Sequence, residues 1–211
     1  MAIQKDAVIA KALDLLDETG LDGLTMRRLA DALEIKAASL YWHFASKQVL
    51  LDGMADALMQ DVARSAPDAE GWRQRLAAVA EEVRRALLSR RDGARVFAGT
   101  YVVSENVMRV GEAMMAPLHA GGASPRTASW GAFSIMYYIL GFVIEESGLS
   151  PEHLESEELM RRGGTFARQD AMFPLLTGAR EHVFDTDFDT RFAFGLEAMI
   201  AGLAARIAAE A

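Results

Sequence analysis

An all-α fold is predicted, with a small three-helix unit at the N-terminus joined to a larger helical part. Three observations predict it. Apolar residues recur at three- and four-residue spacing along most of the 211 residues, which is the period of one helix face. The alternation of Val, Ile and Thr that marks strands is absent. Gly, Pro and Ser or Thr stand where helices would start and stop. Hydrophobic residues make up 51% of the chain and charged residues 25%, a globular composition that excludes a chain disordered throughout. No cysteine is present, which excludes a disulfide framework, a thiolate nucleophile and a zinc finger.

The first helix runs from about Lys5 to Thr19, with Val8, Ala12, Leu15 and Leu16 on one face and Gly20 as its stop. Thr25 is placed to cap a second, whose apolar face is Met26, Leu29, Ala30 and Leu33. Ala37 to Phe44 forms a third, with Leu40, Trp42 and Phe44 expected in the core. Ser46 can cap a fourth, from Lys47 to about Ser65, before Pro67 and Gly71 break the chain. Helices are then expected over about 71–91, with Leu76, Val79, Val83 and Leu87 in register, and over about 105–119. Ser124 with Pro125 starts the next, ending near Glu146, since proline's missing N–H costs nothing in the first turn. Residues 148–185 are mixed and polar, with a short helix near 154–162. The last helix, 187–209, turns Phe188, Phe192, Leu196, Ile200, Leu203 and Ile207 inward. The domains read as 1–46, a connecting helix 47–67, and 68–211.

Net charge is −8, which taken alone argues against nucleic acid, because phosphate contacts need Lys and Arg. Its distribution matters more. Residues 1–50 hold six Lys/Arg against seven Asp/Glu, so most of the acidity lies beyond them. Residues 128–144 carry no formal charge, yet at about 17 residues they sit at the lower limit for a membrane span. The better reading is a helix buried in a bundle or dimer, with no membrane partner. The opening residues lack the apolar core of a signal peptide, so a cytoplasmic protein is expected.

Two short helices separated by a tight turn suggest a helix-turn-helix. The second helix of such a pair enters the major groove, so its first residues must be small enough to approach base edges. Ala37, Ala38 and Ser39 meet that demand. Tyr41, His43 and Lys47 have polar tips suited to phosphate oxygens, and Arg27 could reach a guanine through O6 and N7. Arg27 and Arg28 are adjacent, so only one faces the duplex. Spacing alone leaves an ordinary helical bundle open.

The run Gly20-Leu-Asp-Gly-Leu-Thr25-Met-Arg-Arg-Leu-Ala30, then Leu33-Glu-Ile35, Ser39-Leu-Tyr-Trp-His-Phe44 and Lys47-Gln-Val-Leu-Leu51, resembles the DNA-binding domain of the TetR family of transcriptional repressors over residues 4–52. The resemblance implies a dimeric, ligand-responsive regulator of a palindromic operator, with Arg27, Ala37, Ala38, Ser39, Tyr41, His43 and Lys47 at DNA-contacting positions. A weaker resemblance to the tetracycline repressor branch rests on segments including Gly71-Trp72, Arg91-Asp-Gly-Ala94, Gly99-Thr100 and Leu140-Gly-Phe-Val-Ile-Glu145. It implies a helical ligand-binding and dimerisation domain whose helices 124–146 and 187–209 pair with those of a second subunit.

That branch holds its drug's magnesium through a histidine at the position of Phe97, and phenylalanine has no lone pair to coordinate a metal. The branch's pocket histidine and asparagine give way to Ala63 and Val79, and an aromatic contact to Val83, whereas Thr100 and Glu145 remain. The expectation is therefore no metal or other cofactor, and an effector other than a magnesium–tetracycline chelate: a planar or bulky apolar molecule with few polar groups. Its expected wall is Val79, Val83, Phe97, Thr100, Met114, Trp130, Phe133, Tyr137 and Glu145, with plain core packing as the alternative for the apolar ones. Two other readings stay open: a regulator of the same fold without an effector, and a helical enzyme. Against the enzyme, the adjacent pairs Glu81-Glu82 and Glu145-Glu146 diverge by about 100° on a helix and do not converge on a reacting atom. Solvated helix faces account for these charges, and no phosphate loop or HExxH motif is present.

Overall fold

The computed structural model describes residues 4–100, 103–149, 161, 164–165 and 172–210. Every regular element among them is helical. α1 (Lys5–Gly23) buries Val8, Ala12, Leu15 and Leu16, and breaks at Gly20. That glycine takes φ 69° and ψ 172°, a backbone shape that side chains disfavour, and the chain resumes one helical turn to Gly23. The Thr25 side chain accepts the Arg28 N–H and starts α2 (Met26–Ala32). α3 (Ala37–His43) follows a tight turn in which Glu34 has φ 55°. Ser46 accepts the Val49 N–H at the head of α4 (Lys47–Leu58).

Two expectations change here. The connecting helix stops at Leu58, not near Ser65, because the chain tightens into successive turns at Met59 and Gln60 and Ala63 adopts φ 53°. Trp42 is not in the core but 89% exposed. Leu40 and Phe44 lie four residues apart on one face and are buried, whereas Trp42, two residues from each, points the opposite way.

The larger part begins with α5 (Gly71–Leu88), short of the expected Arg91 because the chain turns at Ser89 and enters the left-handed region at Asp92 (φ 57°). α6 (Gly93–Ala98) starts there, and a Cβ at Gly93 would lie 2.3 Å from the Leu87 carbonyl oxygen. α7 (Glu105–Ala120) and α8 (Pro125–Gly148) follow, α8 capped by Ser124 with Pro125 in its first turn. α9 (Pro174–Gly178) and α10 (Arg180–Val183) are short, and α11 (Phe188–Ala208) closes the chain, capped by Asp187. Apart from Arg161, the short helix expected near 154–162 lies outside the described residues.

α5, α7 and α8 pack on one another, α11 lies on α8 and α5, and α6 bridges α4 and α8. Buried apolar residues of both parts join in one hydrophobic cluster. α8 is long and apolar enough to cross a membrane by length and composition alone. Its packing explains that composition on one side: Ala128, Gly131, Ala132, Ile135, Ile139 and Val143 are buried at helical spacing. Its other side shows Trp130, Phe133, Tyr137 and Ile144 to solvent.

Arg84 ties the larger part together. It is 5% exposed, donates to both Glu146 carboxylate oxygens (3.0 and 2.7 Å) and to Asp189 (2.8 Å), and lies over Phe192. Burial alone would lower its basicity, but the bonds to Glu146 and Asp189 outweigh that and raise it. Glu82 likewise accepts the Ala63 N–H at 2.7 Å. Glu82 and Glu146 are therefore structural partners rather than members of a solvated face.

Candidate functional site

Leu40 and Phe44 fix α3 to the core, and this leaves Ala38, Ser39, Tyr41 and Trp42 exposed. Ala37, His43 and Lys47 are half-buried at the rim of the same surface. The Lys47 ammonium donates to the Leu21 carbonyl at 3.2 Å, which ties α4's first turn to α1. Arg28 is also engaged, its guanidinium donating to the Gly23 carbonyl at 3.2 Å. Arg27 is exposed and has no partner among the described residues. The chain thus separates the two arginines as their adjacency requires: one braces the turn and the other is free for an outside partner. The surface missed from sequence is Trp42, which the one-face packing of Leu40 and Phe44 could have revealed.

A second candidate site is a cavity of about 390 Å³ between α6, α7 and α8. Of the expected wall, Phe97, Thr100, Met114 and Phe133 line it. Met108, Met115 and Met136 join them, and their unbranched thioethers suit an adaptable surface. Among the described residues Thr100 is the only one of the lining with a polar side chain, and its hydroxyl donates to the Phe97 carbonyl at 2.8 Å. Val79 and Val83 are fully buried and do not line this cavity. Trp130 and Tyr137, 61% and 67% exposed, stand on the outer face of α8 with Glu145. Among the described residues no group of three or more His, Asp or Glu could hold a metal ion.

The two sites are mechanically joined. Gln48 of α4 donates to the Gly99 carbonyl at the end of α6 (3.1 Å). Asp92, just before α6, accepts the Leu21 N–H at 2.8 Å and the Arg95 guanidinium at 3.0 Å. Burial alone would raise the Asp92 carboxyl, but those two donors outweigh it and hold it below the usual carboxylate range. Arg90 reaches Asp14 and Asp17 of α1 at 3.1 and 2.6 Å. A shift of α6 on filling the cavity would therefore be felt at both α1 and α4.

Two family models match the chain. Residues 8–54 match the family described as "Bacterial regulatory proteins, tetR family", and residues 65–207 match "Tetracyclin repressor-like, C-terminal domain". The tetracycline repressor protein class A from transposon 1721 of Escherichia coli is 38% identical over 206 residues, covering 97% of this chain and 92% of that protein. The Streptomyces coelicolor TetR family protein ActR, solved in complex with actinorhodin, superposes with a TM-score of 0.87 at 30% identity, covering 98% of this chain and 99% of that one. BioQ, solved with its double-stranded DNA operator, superposes with a TM-score of 0.70 at 30% identity, covering 96% and 99%.

Proposed function

The chain belongs to the TetR family of bacterial regulatory proteins, and on that premise we propose that it is a cytoplasmic repressor whose homodimer binds a palindromic operator and is released by a small, largely apolar effector. The observation that carries the reading is the pairing of an exposed α3 with an apolar cavity through α4 and α6. Ala37, Ala38 and Ser39 would approach base edges, Arg27 would read a guanine, and Tyr41, His43 and Lys47 would hold phosphates. Trp42 adds an apolar face suited to a thymine methyl group or a sugar.

Dimerisation would use the outer faces of α8 and α11. α8 presents Trp130, Phe133, Tyr137 and Ile144 at helical spacing, and α11 presents Phe194 beside the exposed small residues Ala198, Ala201, Gly202 and Ala205. An apolar face of that extent usually marks an interface. The twofold axis would set two copies of α3 about 34–36 Å apart, matching successive major grooves. The effector acts only to the extent that it binds the free and DNA-bound states differently.

The effector is read from the lining of the cavity. A wall of Phe97, Phe133 and methionines with one threonine hydroxyl favours a planar aromatic molecule with few polar groups over a metal chelate. That ActR is solved in complex with actinorhodin supports a small-molecule effector in this fold. Val79, Val83, Trp130, Tyr137 and Glu145 would join the wall only if the occupied state rearranges α5 and α8.

The test is selection of duplex DNA from a random pool, followed by gel shift. A palindrome bound by two protomers, with affinity falling steeply as salt rises, is the expected result. Thermal shift against polycyclic aromatics, with and without Mg²⁺, tests the effector. Stabilisation without magnesium is expected, and stabilisation only with magnesium contradicts the apolar reading. No stabilisation by any aromatic would favour the regulator without an effector.

A further inference from the structure

The far end of α4 is held by an arrangement distinct from the α6 contacts. Asp56, in the last turn of α4, sits at the start of α7: one carboxylate oxygen accepts the Ser104 hydroxyl and the Asn106 backbone N–H (3.1 Å), and the other accepts the Asn106 side-chain amide (2.8 Å). Arg109, one turn into α7, returns the contact. Its guanidinium donates to the carbonyls of Met59 (2.8 Å), Gln60 (2.8 Å) and Val62 (3.1 Å), just beyond the end of α4, and to the Asn106 side chain at 2.7 Å. Each helix thus caps the other. A carboxylate meets the positive N-terminus of α7, and a guanidinium meets the negative C-terminus of α4. Both sets of bonds are charge-assisted, and Arg109 adds a donor to three carbonyls of the turns that follow the helix.

The same stretch of α7 forms a wall of the cavity. Val107, Met108, Val110 and Gly111 line it, interleaved with Arg109. A molecule that displaces this turn of α7 must therefore pull on the end of α4 or break the reciprocal caps. We propose that Asp56 and Arg109 are positioning residues for effector-driven release: they transmit occupancy of the cavity to the C-terminal end of α4, while the α6 contacts act on its other end. The proposal rests on the cavity being the effector site. Arg109 makes four hydrogen bonds, three to backbone carbonyls and one to Asn106, and all four partners belong to the α4–α7 joint.

The test needs no identified effector, because the cavity can be filled from within. A Cβ at Gly111 meets nothing within 4 Å, so Gly111→Phe places a ring into the cavity without a backbone clash. Operator affinity is measured with and without Gly111→Phe in four backgrounds: native, Asp56→Asn, Arg109→Lys and Arg109→Met, with a thermal melt on each to confirm folding. In the native background filling should weaken operator binding about tenfold, within the roughly 5–150-fold span of allosteric coupling. In Asp56→Asn and Arg109→Met the ratio should fall below about threefold, a non-additivity expected of coupled residues. Arg109→Lys, which keeps the charge but not the planar fork, should fall between. An equal loss on filling in all four backgrounds overturns the role of the joint and leaves the cavity as effector site standing. No loss in the native background overturns the effector reading itself, and the proposal with it.

Discussion

Arg27 and Arg28 are one residue apart, yet Arg28 is spent on the Gly23 carbonyl and Arg27 is free. Arg27→Ala should therefore relax preference at one base position in a selected operator, with about 1–3 kcal/mol lost at the matched base. Tyr41→Ala and Lys47→Ala should weaken binding to all sequences alike, and Lys47→Ala should also lower the salt slope by about one. Equal weakening of every site by Arg27→Ala would remove its base-reading role. Asp92 makes a prediction in pH. Its carboxyl is held below its ordinary value of about 3.9, so its contribution to stability is complete above that pH and is lost as pH falls through the lower, folded value. Melts from pH 7 to pH 3 should show an acid limb that is shallower in Asp92→Asn, and a limb unchanged by the substitution would contradict the role given to the Leu21 and Arg95 contacts.

Helix starts were legible at the scale of the element because Thr25, Ser46 and Ser124 announce themselves by residue type, and each accepts the expected N–H. Helix ends were less so. α4 stops at Leu58 with no glycine to signal it, and the turns that follow are braced by Arg109, which lies 50 residues beyond Met59 along the chain. The exposure of Trp42 is not legible in the sequence because an aromatic run reads as core until one face is chosen, and Leu40 with Phe44 chooses it. The bracing role of Arg84 is not legible in the sequence because its partners Glu146 and Asp189 sit far along the chain on α8 and α11. Arg84→Met should cost about 3 kcal/mol, because Glu146 is left largely buried without its cation. For a chain of this size that is roughly a 6–12 °C lower melting temperature. A melt within a degree of the native protein would show that the α5–α8–α11 joint does not need the pair. Of the effector wall, the sequence pattern located Phe97, Thr100, Met114 and Phe133, but could not separate a cavity face from a core face at Val79 and Val83 or from an outer face at Trp130 and Tyr137.

At the scale of the whole molecule, the described residues leave an apolar face of α8 exposed, and the proposed function calls for two reading heads. Tyr137→Glu, which puts a charge into the middle of the α8 face, should convert a dimer into a monomer by light scattering while leaving the helical content unchanged. Operator affinity should then fall by a hundredfold or more, since the second half-site no longer benefits from linkage to the first. The central claim, that paired α3 helices read one operator across a turn of duplex, is tested most directly by gel-shift titration of a selected palindrome with about half a helical turn of DNA inserted between its half-sites. The account predicts that the native dimer loses the inserted site, because its two helices then face opposite sides of the duplex, and regains it when a full turn of about 10 base pairs is inserted. Binding that is indifferent to the insertion, or one protomer bound per intact operator, would contradict it.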